Sequence, residues 1–61
     1  MNPAEADKLL AEIRDATADM EAALVRRLAA IKAARAAELP VAHIARAAGL
    51  SRQSIYQMTR E

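Results

Sequence analysis

The stretch HIARAAGLSRQSIYQM, residues 43–58, decides the fold of this 61-residue chain. It contains the only glycine of the sequence, Gly49, between two short segments whose apolar residues recur every three or four positions. That spacing is typical of helices with one buried face, and a glycine between them supplies the positive φ with which many helices end. Ser51 follows the turn and is a favourable N-cap. The stretch therefore predicts two short helices joined by a tight turn.

A DNA-binding helix-turn-helix requires small and apolar residues at fixed offsets, and this stretch provides them. Ala45 is small where the two helices approach each other, Gly49 follows four residues later, and Leu50 is an apolar residue directly after the turn. The other inward positions are apolar: Ile44, Ile55 and Met58. The positions expected to face outward are polar or aromatic: Arg52, Gln53, Tyr56, Gln57 and Arg60.

Residues 41–60 resemble the helix-turn-helix of bacterial transcription regulators. The segment GLSRQSIY, residues 49–56, is similar to the signature of the tetracycline-repressor type, and the motifs of resolvases and excisionases are similar too. The resemblance implies that the second helix enters the DNA major groove and that Tyr56 contacts a phosphate. It does not extend to a ligand-binding domain, so we expect no small-molecule ligand.

The residue types on the second helix suit two kinds of DNA contact. Arg52 and Gln53 lie at its N-terminal end, and Gln57 lies one turn further on. Arginine forms paired hydrogen bonds with guanine and glutamine with adenine, so these three residues are the expected base readers. Hydroxyl and basic groups suit phosphate oxygens. The candidates for phosphate contacts are Ser51, Ser54, Tyr56, Arg46, Arg60, His43, Lys32 and Arg35.

The sequence before the motif predicts one long helix over residues 3–38. Asn2 can cap it, and Pro3 suits its first position. Alanine, the best helix former, dominates the segment after Pro3, and no further glycine or proline occurs until Pro40. Because proline disfavours helical geometry in the preceding residue, the helix should end near Ala37 or Glu38.

An apolar stripe runs along this long helix. Its later part, Leu24 to Ile31, is expected to pack on the short helices. The two short helices can cover only about half of the long helix, which is roughly 50 Å long. The earlier part of the stripe can therefore be buried only by another chain. A two-fold homodimer is the simplest partner, and the direction of its helices stays open. The expected interface residues are Leu9, Leu10, Ile13, Thr17, Met20 and Leu24.

Charge is distributed unevenly although the net charge is only +1. Residues 1–23 carry six acidic and two basic residues, net −4, whereas residues 24–61 carry seven basic and two acidic residues, net +5. This division indicates an acidic dimerisation arm attached to a basic segment that meets a polyanion. The alternative is that both are merely solvated surfaces.

Several classes of function and location are disfavoured. The chain has no cysteine and one histidine, so we expect no disulfide, metal or cofactor. It shows no nucleophile–base pair and no phosphate loop, so we expect no enzyme. It has no signal peptide and no apolar run of membrane-spanning length, which predicts a cytoplasmic, nucleoid-associated protein.

Together these patterns predict an all-α fold in a single domain over residues 1–61. A long N-terminal helix is followed by a helix-turn-helix at residues 41–60, and the chain is dimeric through its long helices. The predicted function is that of a small homodimeric transcriptional repressor that binds a palindromic site in double-stranded DNA. Two alternatives remain: a protein-binding adaptor or antitoxin-like module, and an accessory DNA-binding factor in recombination or plasmid partition.

Overall fold

The computed structural model describes residues 1–60, which form three α-helices. These are α1 (Pro3–Ala36), α2 (Val41–Ala48) and α3 (Arg52–Met58). Helix α1 is a rod, and α2 and α3 pack against its C-terminal end, so the molecule measures 54 × 17 × 16 Å. The predicted all-α fold, with a long N-terminal helix followed by two short ones, is confirmed.

The beginning of α1 has the predicted cap. Asn2 has extended backbone geometry, and its Oδ1 accepts a hydrogen bond of 2.8 Å from the backbone N–H of Glu5. This bond satisfies one of the donors that a helix N-terminus leaves free. Pro3 occupies the first helical position, where its missing N–H costs nothing.

Helix α1 ends at Ala36, two residues before the predicted limit of 38. Glu38 adopts a positive φ of 62°. Its N–H donates to the carbonyl of Arg35 at 3.0 Å, and the N–H of Leu39 donates to the carbonyl of Ala34 at 3.1 Å. These two bonds form the closure with which many helices end, and it requires one left-handed residue directly before Leu39.

The turn between α2 and α3 closes in the same way. Gly49 has φ 70° and ψ 30°, and the N–H of Leu50 donates to the carbonyl of Ala45 at 3.0 Å. The predicted left-handed glycine is therefore confirmed. Because glycine has no Cβ, it adopts this geometry without the cost that other residues bear.

A small apolar core joins the three helices. Among residues 1–60 four side chains are buried: Ile31, Ile44, Ala45 and Ile55. Ile55 of α3 is completely buried, with 0% of its surface exposed. The partly buried apolar residues around it are Ala34, Val41, Ala48, Leu50 and Met58. The inward positions predicted from the spacing of apolar residues are thus confirmed.

The prediction that Leu24 to Ile31 packs on the short helices is correct only at its C-terminal end. Leu24 and Val25 are 48% and 71% exposed, whereas Ile31 is buried. The packed surface continues instead to Ala34, which lies beyond the predicted segment. The reason is length, because a helix of seven or eight residues spans only about 12 Å and covers only the last turns of α1.

Candidate nucleic-acid interface

Helix α3 presents a polar surface to solvent because its other side is anchored in the core. Ile55 fixes the rotation of the helix by being fully buried. The three predicted base readers, Arg52, Gln53 and Gln57, are exposed as expected. We call these three residues the α3 edge. Its exposed amide and guanidinium groups are free to reach a partner outside the chain.

The N-terminal end of α3 is organised by two serines. Ser51 has extended backbone geometry, and its Oγ accepts a hydrogen bond of 3.1 Å from the N–H of Ser54, which makes it the predicted N-cap. The Ser51 hydroxyl also donates to Oγ of Ser54 at 3.0 Å. Ser51 is therefore engaged within the chain, while Ser54 keeps its own hydroxyl proton for an outside acceptor.

Tyr56 lies at the junction between α1 and α3. The guanidinium carbon of Arg35 is 5.2 Å from the centroid of its ring, within the range of a cation–π interaction. The Nε of Arg35 also donates to Oγ1 of Thr59 at 3.4 Å, and that hydroxyl donates to the carbonyl of Ile55 at 2.8 Å. Arg35 therefore stabilises the packing of α3 on α1, and the Tyr56 ring remains 50% exposed.

Three predicted phosphate ligands meet in one open surface depression. Lys32 and Arg35 of α1 and Arg60 after α3 all line it, together with Thr59. Glu38 also lines the depression and partly offsets its positive charge. We call this the basic depression. It joins the end of α1 to the end of α3, so a polyanion along α3 would meet cations from both elements.

The last two of the eight predicted phosphate ligands, His43 and Arg46, belong to α2 and do not line the basic depression. His43 is exposed and lines an apolar groove between α1 and α2, together with Ile31 and Ile44. Arg46 is exposed on the same helix. The structure thus divides the predicted phosphate ligands into a set near α3 and a set on α2.

Two residues with structural roles near the site were not predicted from the sequence. The Nη1 of Arg27 donates to the carbonyl of Ala48 at 3.4 Å, at the C-terminal end of α2, where a cation complements the helix dipole. Thr59 links Arg35 to α3 through its hydroxyl. The preference of cations for helix C-termini could have suggested such a partner for α2, but sequence spacing does not reveal which cation of α1 supplies it.

The predicted dimer residues lie on the part of α1 that α2 and α3 do not cover. The exposed fractions of their large side chains are considerable: Leu9 45%, Leu10 50%, Ile13 61%, Met20 56% and Leu24 48%. Thr17 is exposed as well, and its hydroxyl donates to the carbonyl of Ile13 at 2.8 Å. The residues thus remain accessible to a partner.

Residues 1–60 meet the requirements of neither a metal site nor a membrane-spanning helix. Nowhere in that range do three histidine, aspartate or glutamate side chains come close enough together to hold a metal ion. None of the three helices combines the length and apolar character needed to cross a membrane.

Comparison with known proteins identifies no relative. No family model matches the sequence, and no curated protein and no solved structure is detectably similar to it. The resemblance to helix-turn-helix regulators therefore stays a prediction that rests on residues 41–60.

Proposed function

We propose that this protein binds double-stranded DNA in a sequence-specific manner and acts as a small homodimeric transcriptional repressor. The observation that carries the proposal is the division of α3 into a buried side and a reading side. Ile55 is completely buried, while the α3 edge of Arg52, Gln53 and Gln57 is exposed. A short helix anchored in this way can insert its polar edge into the major groove while the core holds it rigid.

The chemistry of the α3 edge suits base recognition. The guanidinium of Arg52 can donate two parallel hydrogen bonds to O6 and N7 of guanine, and the amide of Gln53 can pair with N6 and N7 of adenine. Gln57 lies one helical turn further on and reaches an adjacent base pair. Both leading residues lie in the first turn of α3, which is the part of a recognition helix that approaches the bases.

Phosphate contacts would orient the helix in the groove. The basic depression supplies Lys32 and Arg60 beside α3, and the half-exposed Tyr56 supplies a phenolic hydroxyl. Arg35 serves mainly to hold Tyr56 and Thr59 in place, with its charge still close to the same surface. Such contacts give affinity without sequence preference, so the α3 edge must supply the discrimination.

Dimerisation would raise the affinity for DNA above that of a single chain, which is expected to bind weakly. In the part of the chain that the structure describes, the core has only four buried side chains, and each chain offers one short reading helix. Two units on one dimer convert the second binding event into an intramolecular one, which raises affinity without new contacts. A two-fold dimer requires a palindromic or nearly palindromic site, and its occupancy of a promoter is sufficient for repression.

The experiment that tests this function is selection of bound sequences from a random duplex pool, followed by binding measurements with variants. We expect an enriched motif with two-fold symmetry. Replacing Arg52 or Gln53 by alanine should cost about 1–3 kcal/mol of binding free energy and relax the preference at one base pair per half-site. Lys8→Ala is the control, since it removes a cation from the acidic half of α1 and should leave the preference intact.

Failure to enrich any sequence, or full sequence preference in both the Arg52→Ala and Gln53→Ala proteins, would refute the assignment. The dependence on salt gives a second criterion. Binding to duplex DNA should weaken steeply as salt concentration rises, because each neutralised phosphate releases counterions.

The exposed apolar side of α1 favours a second candidate, a protein-binding adaptor or antitoxin-like module. Side chains such as Ile13 and Met20, which are 61% and 56% exposed, could equally pack on a different protein. An adaptor would bind duplex DNA weakly at any salt concentration, which distinguishes it from the repressor. An accessory factor in recombination or partition would share the DNA-binding surface and differ only in the site selected.

A further inference from the structure

The exposed stripe of α1 has a regular heptad spacing. Leu10, Ile13, Thr17, Met20 and Leu24 follow one another at intervals of three, four, three and four residues. This alternation places all five on one side of the helix, and it is the pattern by which two helices pack along a shared seam. Each of the four apolar members has about half of its surface or more in solvent.

The stripe is nearly symmetric about Thr17. Leucine lies seven residues before it, at Leu10, and seven residues after it, at Leu24. The Thr17 hydroxyl already donates to the carbonyl of Ile13 at 2.8 Å, so this side chain enters an interface without an unsatisfied donor. A two-fold axis at Thr17 would place like-sized apolar residues opposite each other in an antiparallel pair.

The charges beside the stripe favour the antiparallel direction. Arg14 and Glu21 follow Ile13 and Met20 directly, so both lie on the same flank of the seam. In an antiparallel pair this flank meets its own copy in reverse order, which sets Arg14 opposite the partner's Glu21 twice per dimer. A parallel pair would instead bring this flank against the opposite flank of the partner, where Ala16 is the neighbour of Glu21, so neither charge would meet an opposite one.

The other flank of the seam is suited to close packing. Its members within the stripe are Ala16 and Ala23, which carry only methyl groups. In the antiparallel arrangement Ala16 approaches its own copy near the two-fold axis, and no bulky side chain separates the helices there. One flank thus contributes charge pairing and the other contributes close approach.

We propose that a second copy of this chain packs on the exposed stripe of α1 in an antiparallel direction, centred on Thr17. Leu10 then packs opposite the partner's Leu24, and Ile13 lies within one residue, about 1.5 Å along the axis, of the level of the partner's Met20. Arg14 pairs with the partner's Glu21 on the charged flank. The inference rests on the homodimer of the proposed function and adds to it the direction and register of the helices.

The seam also continues into the apolar groove between α1 and α2. Arg27, Ile31 and Ala34 extend the same heptad spacing beyond Leu24, and all three line that groove. In the antiparallel register the partner's first helical turn comes level with Ile31. The groove is therefore the end of the same interface, and its occupant is the N-terminal turn of the second copy.

The direction of pairing determines where the DNA-reading segments lie. Ile31, the residue of α1 in the core, is fourteen residues beyond Thr17. At 1.5 Å per residue the two cores of an antiparallel dimer lie about 42 Å apart along α1. That separation between the two Ile31 positions exceeds one turn of duplex, about 34–36 Å, by roughly 6–8 Å, and is of the same order as the spacing that a two-fold helix-turn-helix dimer requires. A parallel pair would place both cores at the same end.

Disulfide trapping tests the direction directly because the natural chain has no cysteine. Three single variants are needed: Leu10→Cys, Leu24→Cys and Thr17→Cys. Under a mild glutathione redox buffer we expect Thr17→Cys to form a covalent dimer. We expect Leu10→Cys and Leu24→Cys to crosslink only when mixed, with the mixed product identified by mass after one of them is labelled with ¹⁵N.

The geometry makes this test decisive. Positions 10 and 24 lie about 21 Å apart along a helix, whereas a disulfide needs Cα atoms within about 7 Å. Covalent homodimers of Leu10→Cys would overturn the antiparallel direction. Absence of any crosslink, including that of Thr17→Cys, would overturn the pairing of two copies. Retained helicity by circular dichroism excludes a folding defect, and all three sites are exposed in the single chain.

Charge reversal provides an independent readout. Glu21→Arg should raise the dimer dissociation constant by about fivefold or more, because two ion pairs are replaced by repulsion. The double variant Arg14→Glu, Glu21→Arg should restore it, and a double variant no tighter than the single one would refute the register. A correctly crosslinked dimer that does not bind DNA refutes only the proposed function, whereas a DNA-binding protein with the wrong crosslinks refutes only the pairing.

Discussion

The turn after α1 and the turn after α2 predict opposite changes in stability when a glycine is removed from one and introduced into the other. Each turn has one residue at positive φ, Glu38 at 62° and Gly49 at 70°. Each is followed by a leucine whose N–H donates to a carbonyl five residues earlier, at 3.1 Å for Leu39 and 3.0 Å for Leu50. The closures are alike, but one is built on glycine and the other on a residue with a side chain.

The expected free energies depend on this geometry. In Gly49→Ala the new methyl group would meet no atom within 4 Å beyond its own residue and its two chain neighbours, so only the backbone bears the cost. Left-handed geometry costs a non-glycine residue about 1–2 kcal/mol, and the reduced freedom of alanine in the unfolded chain returns about 0.4–1 kcal/mol. We therefore expect Gly49→Ala to lower the free energy of unfolding by about 1 kcal/mol, and Glu38→Gly to raise it by about the same amount.

The assay should report on the packing of the short helices rather than the long rod. Tyr56 is the only aromatic residue of the chain, and Arg35 lies 5.2 Å from its ring centroid, so tyrosine fluorescence reports on the junction of α1 with α3. For a domain of this size 1 kcal/mol corresponds to a shift of about 4–8 °C in the unfolding midpoint. All proteins should be compared at one concentration, because association alters apparent stability.

The control is Glu38→Ala, which removes the carboxylate but keeps a Cβ. It separates the charge of Glu38, which lines the basic depression, from its backbone geometry. A Glu38→Gly protein no more stable than Glu38→Ala would refute the cost assigned to the left-handed residue. An unchanged midpoint in Gly49→Ala would refute it equally.

Two further predictions concern the cap of α3 and the exposed stripe of α1. Replacing Ser51 by alanine removes the oxygen that accepts from the N–H of Ser54 at 3.1 Å, and should lower the free energy of unfolding by about 1 kcal/mol, while Ser51→Asp should restore most of it. Equal stability of the alanine and aspartate proteins in urea denaturation would contradict the capping role. Replacing Ile13 and Met20 together by aspartate should give monomers in sedimentation and weak DNA binding, with the Tyr56 signal unchanged, because both side chains lie far from the core. A variant that still sediments as a dimer would contradict an interface on this stripe.

The fold was predictable because its turns and core use local signals. A lone glycine, the serine after it and the three- and four-residue spacing of apolar residues predicted the turn, the cap of α3 and the burial of Ile44 and Ile55, all of which the structure confirms. These features depend on a few neighbouring residues, and each neighbour favours the same conformation. Short sequence patterns predict such features well, because all the residues that determine them are close together in the sequence.

The structure departs from the predictions at one local turn and at one long-range contact. Proline chemistry at position 40 predicted that α1 would stop nearby, but not that Glu38 would take a left-handed conformation and end the helix at Ala36. The packed surface of α1 extends to Ala34 because the length of the short helices decides where they lie.

The sequence predicted which residue types of the candidate site are exposed, but it did not predict which side chains contact each other within the chain. Exposure of Arg52, Gln53 and Gln57 followed from the burial of Ile55. The contacts of Arg35 with Tyr56 and Thr59 join residues more than twenty positions apart. A long cation has many partners within reach, and sequence spacing does not select among them.

The complete burial of Ile55 has a consequence for how such a protein could change over time. Arg52, Gln53 and Gln57 of α3 are exposed and take no part in the core, so exchanging them alters the free energy of unfolding by only about 0.5 kcal/mol or less. The buried Ile55 and the exposed residues of α3 can therefore be substituted independently of each other. A few substitutions at exposed positions could give a descendant a new target while its architecture stayed intact.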